Sequence, residues 1–290
     1  MSRIRPFKAA EAWGRAGPEP GSDCARLASA PRRAGPASGA RRAVILVVCD
    51  LDGTLAPIVS RPDRARVPAR TIRLLERAAH APGIQVAVVS ARPLREMRRL
   101  LPVRRVLLVG QYGLEGTPAP PAARRERFRK RCRRLVLRLR RAADAVPGAQ
   151  VEAKGLTAAV HDRAVAPRRR PALRRFLRRI EAGAARREGF VAIPGRRVVD
   201  FVPRGFDKGR VVKRLRAALR PAVVFYFGDS AGDDSAFAAL NERDFPVRIG
   251  RGATRARYRV ATPMGVTRFL ETVARSRSNA SSHKEVASCR

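Results

Sequence analysis

The stretch AVILVVCDLDGTL, residues 43–55, begins with a continuous apolar run, and two aspartates that are two positions apart follow this run. An apolar run without alternation is typical of a parallel strand buried on both faces. IQVAVVS (84–90), VLLVG (106–110) and VVFYFGD (223–229) have the same character, and amphipathic helical patterns lie between such runs, beginning at 68–80. This alternation predicts an α/β fold with a Rossmann-like, doubly wound parallel sheet.

The pattern changes in the middle of the chain, where short strand-like segments and two basic helices replace the long apolar runs. In order, these elements are a Pro/Ala-rich linker at 117–123, a basic helix at about 124–145, two short strands around Gly155, a second helix at 170–185 and a hairpin around Gly195. Two helices and four strands of this kind predict a small inserted α+β domain.

The composition shifts also predict where the domains begin and end. We place the core at 43–117 and 204–275, with the inserted α+β cap at 118–203 between its two parts. Residues 1–42 are rich in Arg, Pro, Gly and Ala and are predicted to be a disordered basic extension. The polar residues 276–290 are predicted to be a disordered tail.

The charge of the chain is extreme, with 63 Lys+Arg against 24 Asp+Glu and a formal net charge of +39. Such a surface fits a polyanionic partner, or an arginine-rich surface that is simply solvated. Aromatic residues make up only 5% of the chain, and none interleave with the basic runs as stacking platforms would. This favours the solvated surface, with no specific nucleic acid partner.

The location of the protein is predicted from what the sequence lacks. No apolar run reaches the roughly 18 residues that a membrane span needs, and the first 40 residues contain no apolar signal region. The four cysteines, Cys24, Cys49, Cys132 and Cys289, are far apart and form no metal-binding spacing. These features predict a cytoplasmic protein without a membrane partner.

Carboxylates follow two of the apolar strands at the point where each strand ends. Asp50 and Asp52 follow the first strand, and Asp229 and Asp233 follow the strand at 223–229. The carboxyl ends of parallel strands are where α/β sheets place their chemistry, so these side chains are expected to meet. A cluster of carboxylates suits a hard cation, and we predict Mg²⁺.

The strand ends also predict an anion site beside the carboxylates. Gly53 and Thr54 lie on the turn that leaves the first strand, where backbone N–H groups can bind an anion. In a chain of net charge +39, an acidic cluster runs against the general composition. A metal-assisted reaction of an anionic substrate is therefore the chemistry that these residues favour.

The string DLDGTL resembles the first motif of the haloacid-dehalogenase-like phosphatase superfamily. Ser90 at the end of the second strand, Lys208 before a helix, and GDSAGD at 228–233 resemble the second, third and fourth motifs in the same order. The inserted block lies between the second and third motifs, where this superfamily carries its larger type of cap. The resemblance implies the fold predicted above, with a cap domain inserted into a phosphatase core.

The resemblance also implies a mechanism with a role for each motif residue. Asp50 would be the nucleophile that receives the phosphoryl group, and Asp52 would be the general acid and base. The implied Mg²⁺ ligands are Asp50, the backbone carbonyl of Asp52, and Asp229, with Asp233 as a further ligand or a carboxylate just behind them. The implied phosphate-binding residues are Gly53, Thr54, Ser90 and Lys208.

Longer segments are similar to those of the trehalose-6-phosphate phosphatase family. They are DLDGTLAPIVSRPDRARV, SARPLREMRRLL, GQYGLEG, VEAKGLTAAVHDR and GRRVVDFVPRGFDKG, and together the similarity covers about residues 44–272. The resemblance implies sugar contacts at Glu115, Glu152, Lys154 and Asp200, with Arg92 as an additional phosphate or sugar contact. Glu152 and Lys154 have the same parity on one strand, which predicts that they share a face.

Several positions depart from the family pattern. Tyr112 stands where the family has His, Asp200 stands where it has Glu, and Asp162 stands where it has Tyr. In the fourth motif Ser230 replaces an Asp, and Gly232 replaces a Thr. Because Asp229 and Asp233 are kept, these departures affect the expected identity of the sugar more than the expected reaction.

Three functional hypotheses remain open at this point. The first is hydrolysis of trehalose 6-phosphate, with a trehalose-6-phosphate synthase as a functional partner that is too large for this chain to contain. The second is a related phosphatase for another sugar phosphate, such as sucrose 6-phosphate or mannosyl-3-phosphoglycerate. The third is a polyanion-binding protein that keeps a vestigial site, which the arginine excess suggests.

Overall fold

The first part of the core builds half of a parallel sheet. The computed structural model describes residues 44–59 and 64–287, with side chains described as far as Arg275, and the predicted extension at 1–42 lies outside the described residues. The elements of this part are β1 (Ile45–Asp50), α1 (Ala69–His80), β2 (Ile84–Val89), α2 (Leu94–Leu100), β3 (Leu107–Gly110) and the short β4 (Glu115–Gly116).

The middle of the chain forms a separate sheet with two helices. Its elements are α3 (Ala122–Asp144), β5 (Gln150–Ala153), β6 (Ala158–His161), α4 (Arg170–Ile180), β7 (Phe190–Gly195) and β8 (Val198–Pro203). The strands are antiparallel in the order β5-β6-β8-β7. The predicted α+β insertion with four strands is therefore confirmed, and we call this unit the cap.

The chain then returns to the first sheet. The last elements are α5 (Lys208–Leu219), β9 (Val223–Gly228), α6 (Asp234–Phe237), β10 (Phe245–Ile249), β11 (Tyr258–Val260) and α7 (Pro263–Ala287). The seven strands lie in the order β11-β10-β9-β1-β2-β3-β4, and all pairs are parallel except β3 with β4. The predicted doubly wound parallel sheet is confirmed.

The central strands are buried on both faces, as the uninterrupted apolar run predicted. Val47 and Cys49 pack into a cluster with α1 and α7, while Leu46 and Val48 pack into a second cluster with α5. Because successive side chains of a strand point to opposite faces, one apolar run serves both helical layers. Asp50 follows the apolar run and lies at the carboxyl edge of the sheet.

The cap sheet has one face for its helices and one for the core. Val199 and Phe201 of β8 pack against α3 and α4, while Asp200 between them points to the opposite face. An apolar cluster that contains Tyr112, Leu114, Leu156, Val202 and Phe206 joins the core to the cap. The polar residues of the cap sheet are thereby held toward the carboxyl edge of the core sheet.

One segment differs from the sequence-based expectation. The backbone of α7 continues to Ala287, so most of the segment at 276–290 is helical and not an irregular tail. The predicted domain boundaries themselves remain a prediction.

Candidate active site

Asp50 and Asp229 lie side by side because their strands are neighbours. Asp50 is the last residue of β1, Asp229 follows β9, and Cys49 pairs with Phe227 in the parallel register. The turn after β1 passes very close to Asp229, since a Cβ added at Gly53 would lie 2.1 Å from its Oδ2 atom. Gly53 also has a φ of 83°, so glycine is required here for two reasons.

Lys208 joins the nucleophile candidate to a second carboxylate. Its Nζ atom lies 2.8 Å from Oδ1 of Asp50 and 2.8 Å from Oδ1 of Asp233. Helix α5 begins at Lys208, and the carboxylate of Asp207 caps it by accepting from the Arg210 N–H at 2.8 Å. The cap fixes the first turn of the helix and so directs the Lys208 ammonium at the two buried aspartates.

Asp233 is fully buried, and both of its oxygens accept hydrogen bonds. Oδ1 accepts from Lys208 Nζ at 2.8 Å and from the Tyr226 hydroxyl at 2.9 Å, while Oδ2 accepts from the N–H and the hydroxyl of Ser230, both at 3.0 Å. A Cβ at position 228 would lie 2.3 Å from Cγ of Asp233, so Gly228 makes room for this carboxylate. Ser230, a departure from the family pattern, serves here to orient Asp233.

The three carboxylates suit a divalent cation. Asp50, Asp229 and Asp233 each present an oxygen within 4.8 Å of the other two. All ligand atoms are carboxylate oxygens, which Mg²⁺ prefers, and with Lys208 included the ionised cluster has a net charge of −2. The residues present therefore fit a divalent metal.

The pKa shifts of the carboxylates in this cluster also fit a divalent cation. Burial raises the pKa of Asp50 well above its ordinary value, and the Lys208 charge partly opposes that shift. Burial, followed by the repulsion of Asp233, raises the pKa of Asp229 to about 6. Desolvated carboxylates that repel one another are stabilised when a cation joins them.

Asp52 lies outside this buried cluster and is held by Arg92. The Arg92 Nε and Nη2 atoms donate to the two carboxylate oxygens of Asp52 at 2.7 and 2.8 Å. The Asp52 side chain is 39% exposed, so it faces the open side of the site. The structure thus pairs the candidate acid–base residue with the residue expected to contact phosphate or sugar.

The remaining predicted phosphate-binding groups lie around Asp50 at the same edge. Ser90 is buried after β2 and its hydroxyl accepts from the Arg92 N–H at 3.1 Å. Thr54 is buried, and its hydroxyl has no partner among the described residues. The Gly53 N–H donates to the Ala56 carbonyl at 2.7 Å, so in this conformation it is not free to bind an anion.

The cap presents a polar network to the core. Lys154 Nζ lies 2.8 Å from Oδ1 of Asp200 and 3.8 Å from Oε2 of Glu152, so the two residues predicted to share a face do so. The Tyr112 hydroxyl donates to Oδ2 of Asp200 at 3.0 Å, and His161 Nε2 lies 2.9 Å from Glu152. Tyr112 thereby connects the core to the cap carboxylate.

The cap network is electrostatically connected to the phosphate chemistry. His161, Lys154 and Arg92 together keep the pKa of Glu152 low despite its burial. Burial and the neighbouring Asp200 raise the pKa of Tyr112, and the more distant Asp50 adds to this shift. Cap and core residues therefore interact electrostatically at the carboxyl edge of the sheet.

The predicted sugar contact Glu115 and the family departure Asp162 have structural partners of their own. Glu115 Oε2 accepts from the Leu94 N–H at 2.6 Å, so this carboxylate caps the N-terminus of α2. Asp162, which replaces a Tyr of the family, forms an ion pair with Arg197 at 3.2 Å on the cap hairpin. Both side chains stabilise local structure near the site in this conformation.

Other residues of the site escaped the sequence analysis. Tyr226 points inward from the middle of an apolar strand, where a tyrosine looks like any core residue. Gln111 accepts from the N–H and the hydroxyl of Thr157 at 3.1 and 2.8 Å and so forms a second core–cap contact. Gln111 has no distinguishing pattern because its partner Thr157 is 46 positions away, and Tyr226 resembles a core residue although Asp233 is only seven positions away.

Structural comparison defines the class of protein. A haloacid dehalogenase-like hydrolase from Bacteroides thetaiotaomicron matches with a TM-score of 0.52 at 15% identity over 79% of this chain and 99% of that chain. The C-terminal domain of C. albicans trehalose-6-phosphate phosphatase matches with a TM-score of 0.71 at 20% identity over 80% and 92%. The fold is that of the haloacid-dehalogenase-like hydrolases.

Sequence comparison narrows this class to one family. Residues 48–288 match the model of the trehalose-phosphatase family. The trehalose-6-phosphate phosphatase of Escherichia coli (strain K12) is 31% identical over 236 residues, which cover 77% of this chain and 84% of that protein. The chain belongs to the trehalose-phosphatase family, and the predicted family and enzyme class are confirmed.

Relatives of the family differ in length. The chain spans 58% and 61% of the trehalose-phosphate phosphatases of Mycobacterium leprae (strain TN) and Mycobacterium ulcerans (strain Agy99), which are 32% and 29% identical. Among the helices that the structure describes, none combines the length and the hydropathy needed to cross a lipid bilayer.

Proposed function

We propose that this protein hydrolyses trehalose 6-phosphate to trehalose and phosphate, through an aspartyl-phosphate on Asp50 and with Mg²⁺ as cofactor. The observation that carries the proposal is the pairing of two sites. A buried cluster of Asp50, Asp229 and Lys208 suits a phosphoryl group and a divalent cation, and a polar cap network faces it. The family membership supports the same reaction.

In the first half of the reaction, a carboxylate oxygen of Asp50 attacks phosphorus and the bond from phosphorus to the sugar oxygen breaks. Lys208 keeps Asp50 oriented and offers its positive charge to the phosphoryl oxygens. Ser90 is buried beside it and supplies a hydroxyl donor to the same oxygens. Bound Mg²⁺ would supply charge neutralisation between Asp50 and the phosphate dianion.

Asp50 and Asp229 would hold the metal, together with the backbone carbonyl of Asp52. Asp233 has both oxygens engaged by Lys208, Tyr226 and Ser230, so we assign it the role of orienting its neighbours. Of the two roles predicted for Asp233, the hydrogen bonds favour the carboxylate behind the ligands.

Asp52 carries the proton in both halves of the reaction. It protonates the departing sugar oxygen, then removes a proton from the water that hydrolyses the aspartyl-phosphate. Arg92 engages both oxygens of Asp52, so this ion pair has to open before the proton can move. The arriving phosphate is a second anionic partner for Arg92, and we expect the guanidinium to shift toward it.

The cap supplies the sugar contacts. Glu152 and Asp200 accept hydrogen bonds, Lys154 donates them, and a disaccharide offers hydroxyls for all three. Lys154 is nearly buried, and the flanking carboxylates raise its pKa although desolvation opposes this. A charged, oriented donor of this kind favours a polyhydroxylated substrate over a simple phosphate.

The experiment that tests the proposal is phosphate release from trehalose 6-phosphate with Mg²⁺, for the wild type beside Asp50→Asn. We expect turnover by the wild type and a loss of at least about 1,000-fold in the variant, since the nucleophile is removed. Folding of the variant is checked by its thermal unfolding. Full activity of Asp50→Asn would contradict the mechanism.

Assays with sucrose 6-phosphate and mannosyl-3-phosphoglycerate test the identity of the substrate separately from the type of reaction. A much higher kcat/KM on one of these would assign the enzyme to the other sugar, with the same chemistry. The departures at Tyr112 and Asp200 are the observation that motivates these assays, because they form the core–cap contact.

The biological setting is also proposed. A separate trehalose-6-phosphate synthase would supply the substrate, and a cytoplasmic location fits the two buried, unpaired thiols of Cys49 and Cys132. Burial raises the pKa of Cys132 to about 12, so this thiol is not a reactive nucleophile.

A further inference from the structure

The positive charge of the chain is concentrated on the cap helices. The segments at 122–144 and 167–188, which contain α3 and α4, hold 20 basic and 4 acidic residues. These 45 residues therefore carry +16 of the net charge of +39 in a chain of 290 residues. An arginine-rich composition spread evenly over the surface does not account for this concentration.

The basic residues of these segments face the solvent. Of the 20, 17 are exposed, and Asp144 is the one exposed acidic residue within the two segments. Glu188 is engaged by Arg134 at 2.7 Å, and Glu126 is engaged by Arg129. We call this surface the basic cap face.

The basic cap face lies on the opposite side of the cap sheet from the candidate active site. Leu135 and Leu139 of α3 and Leu173 of α4 pack against one face of the sheet. Asp200 and Glu152 belong to the other face, which carries the network near Arg92. A partner on the helices therefore leaves the active site open.

The side chains of the basic cap face indicate which kind of partner it binds. All but one of its basic residues are arginines, whose planar guanidinium groups bind phosphates with two hydrogen bonds. Helix α3 has 23 residues and is about 34 Å long, which matches one turn of a nucleic acid duplex. Charge spread along a helix of this length can reach several successive phosphates of such a duplex.

Two other polyanions fit less well. Leu137 and Phe176 are the large apolar side chains exposed on α3 and α4, and two such residues provide little area for insertion into a bilayer. Phe176 is the one exposed aromatic residue of these segments, so stacking on single-stranded bases has no platform. Phosphate contacts to a duplex remain the best match.

We propose that the basic cap face binds the phosphate backbone of double-stranded nucleic acid without sequence preference. This inference does not depend on the proposed phosphatase activity, because the face and the active site lie on opposite sides of the cap sheet. Binding is expected to leave turnover of a sugar phosphate unchanged.

The test compares two variants of the full chain, each lacking four exposed arginines. The cap variant carries Arg→Gln at 133, 141, 175 and 179, and the core variant carries Arg→Gln at 73, 77, 98 and 99 of α1 and α2. Affinity for two fluorescent 25-base-pair duplexes of unrelated sequence is measured between about 50 and 300 mM salt. Both variants keep residues 1–43, so any contribution of that segment cancels.

We expect the slope of log K against log salt to fall by about 3 to 4 in the cap variant, since each lost phosphate contact removes about 0.9. The core variant is expected to change by less than about 1, and the two duplexes to bind equally. Equal slopes in both variants would overturn the proposal, because binding would then be diffuse. The proposal would also be overturned if the wild-type protein at 150 mM salt bound vesicles of anionic phospholipid but released the duplex.

Discussion

Tyr112 is the residue through which the core reaches the cap carboxylate. Its hydroxyl donates to Asp200, which in turn binds Lys154. We expect Tyr112→Phe to raise KM for trehalose 6-phosphate about 10-fold with kcat within about twofold, because one hydrogen bond to a charged group is worth about 1.5 kcal/mol. Steady-state kinetics measure both constants.

The control for this variant is Tyr258→Phe on β11, at the far end of the sheet, which removes the same hydroxyl away from the site. If both variants changed KM alike, or if neither did, Tyr112 would have no role in positioning the cap network. An unchanged KM for a small aryl phosphate in Tyr112→Phe would show that the effect acts through the sugar.

Asp229 is the residue whose ionisation is expected to link the proposed metal binding to stability. Burial raises its pKa to about 6 from 3.8, so the metal-free folded protein binds this proton more tightly than the unfolded chain. The free energy of unfolding therefore decreases as the pH rises from about 4 through about 6. Asp229→Asn removes this pH-dependent loss of stability. In the presence of a chelator, the variant should therefore melt at a higher temperature than the wild type at pH 8, but not at pH 4.

Addition of Mg²⁺ should reverse the order of the two proteins. At pH 8 the ion stabilises the wild type, whose Asp229 is ionised, and has little effect on Asp229→Asn. Thermal unfolding with and without the ion measures both effects. A wild type that melts at the same temperature with millimolar Mg²⁺ would argue against the metal site.

Among the elements, α3 has two faces of opposite character. Leu135 is fully buried against the cap sheet, while Leu137, two residues on, is 59% exposed on the basic cap face. We expect Leu135→Ala to lower the free energy of unfolding by about 2 to 5 kcal/mol, because it leaves a cavity. Leu137→Ala should change it by less than about 0.5 kcal/mol.

Chemical denaturation of the two leucine variants measures this difference. The pair has the same substitution on the same helix, so helix propensity cancels. A similar loss of stability in both would mean that α3 does not pack as the structure describes.

At the scale of the whole molecule, the proposed function assigns the phosphate chemistry to the core and the sugar contacts to the cap. Glu152→Gln, a change on the cap alone, should lower kcat/KM for trehalose 6-phosphate about 10-fold or more, since a charged acceptor for the sugar is lost. Hydrolysis of a small aryl phosphate, which reaches only the core, should change by less than about twofold.

The matched core variant for this test is Lys208→Met, which should abolish both reactions. Lys208 contacts Asp50 and Asp233 in the buried cluster, so its loss affects every substrate. If Glu152→Gln lowered kcat/KM equally for both substrates, the assignment of the phosphate chemistry to the core and of the sugar contacts to the cap would be wrong.

Several features of this protein follow from the sequence alone because they depend on local patterns. Uninterrupted apolar runs predict buried parallel strands, and an Asp directly after such a run must lie at the carboxyl edge of the sheet. The alternation of side chains along a strand predicted that Glu152 and Lys154 share one face, and in the structure Lys154 Nζ lies 3.8 Å from Oε2 of Glu152. The family follows from motifs that are contiguous in the chain.

The tertiary structure decided what depends on residues that are distant along the chain. Tyr112 and Asp200 are 88 positions apart, and Arg92 and Asp52 are 40 apart, so no local pattern reveals either contact. Lys208 and Asp233 are 25 positions apart, and Glu115 caps a helix that begins 21 positions earlier, because packing brings these donors and acceptors together. Short-range patterns determine the elements and the strand-end carboxylates, whereas the choice of hydrogen-bond partner for each carboxylate requires the folded chain.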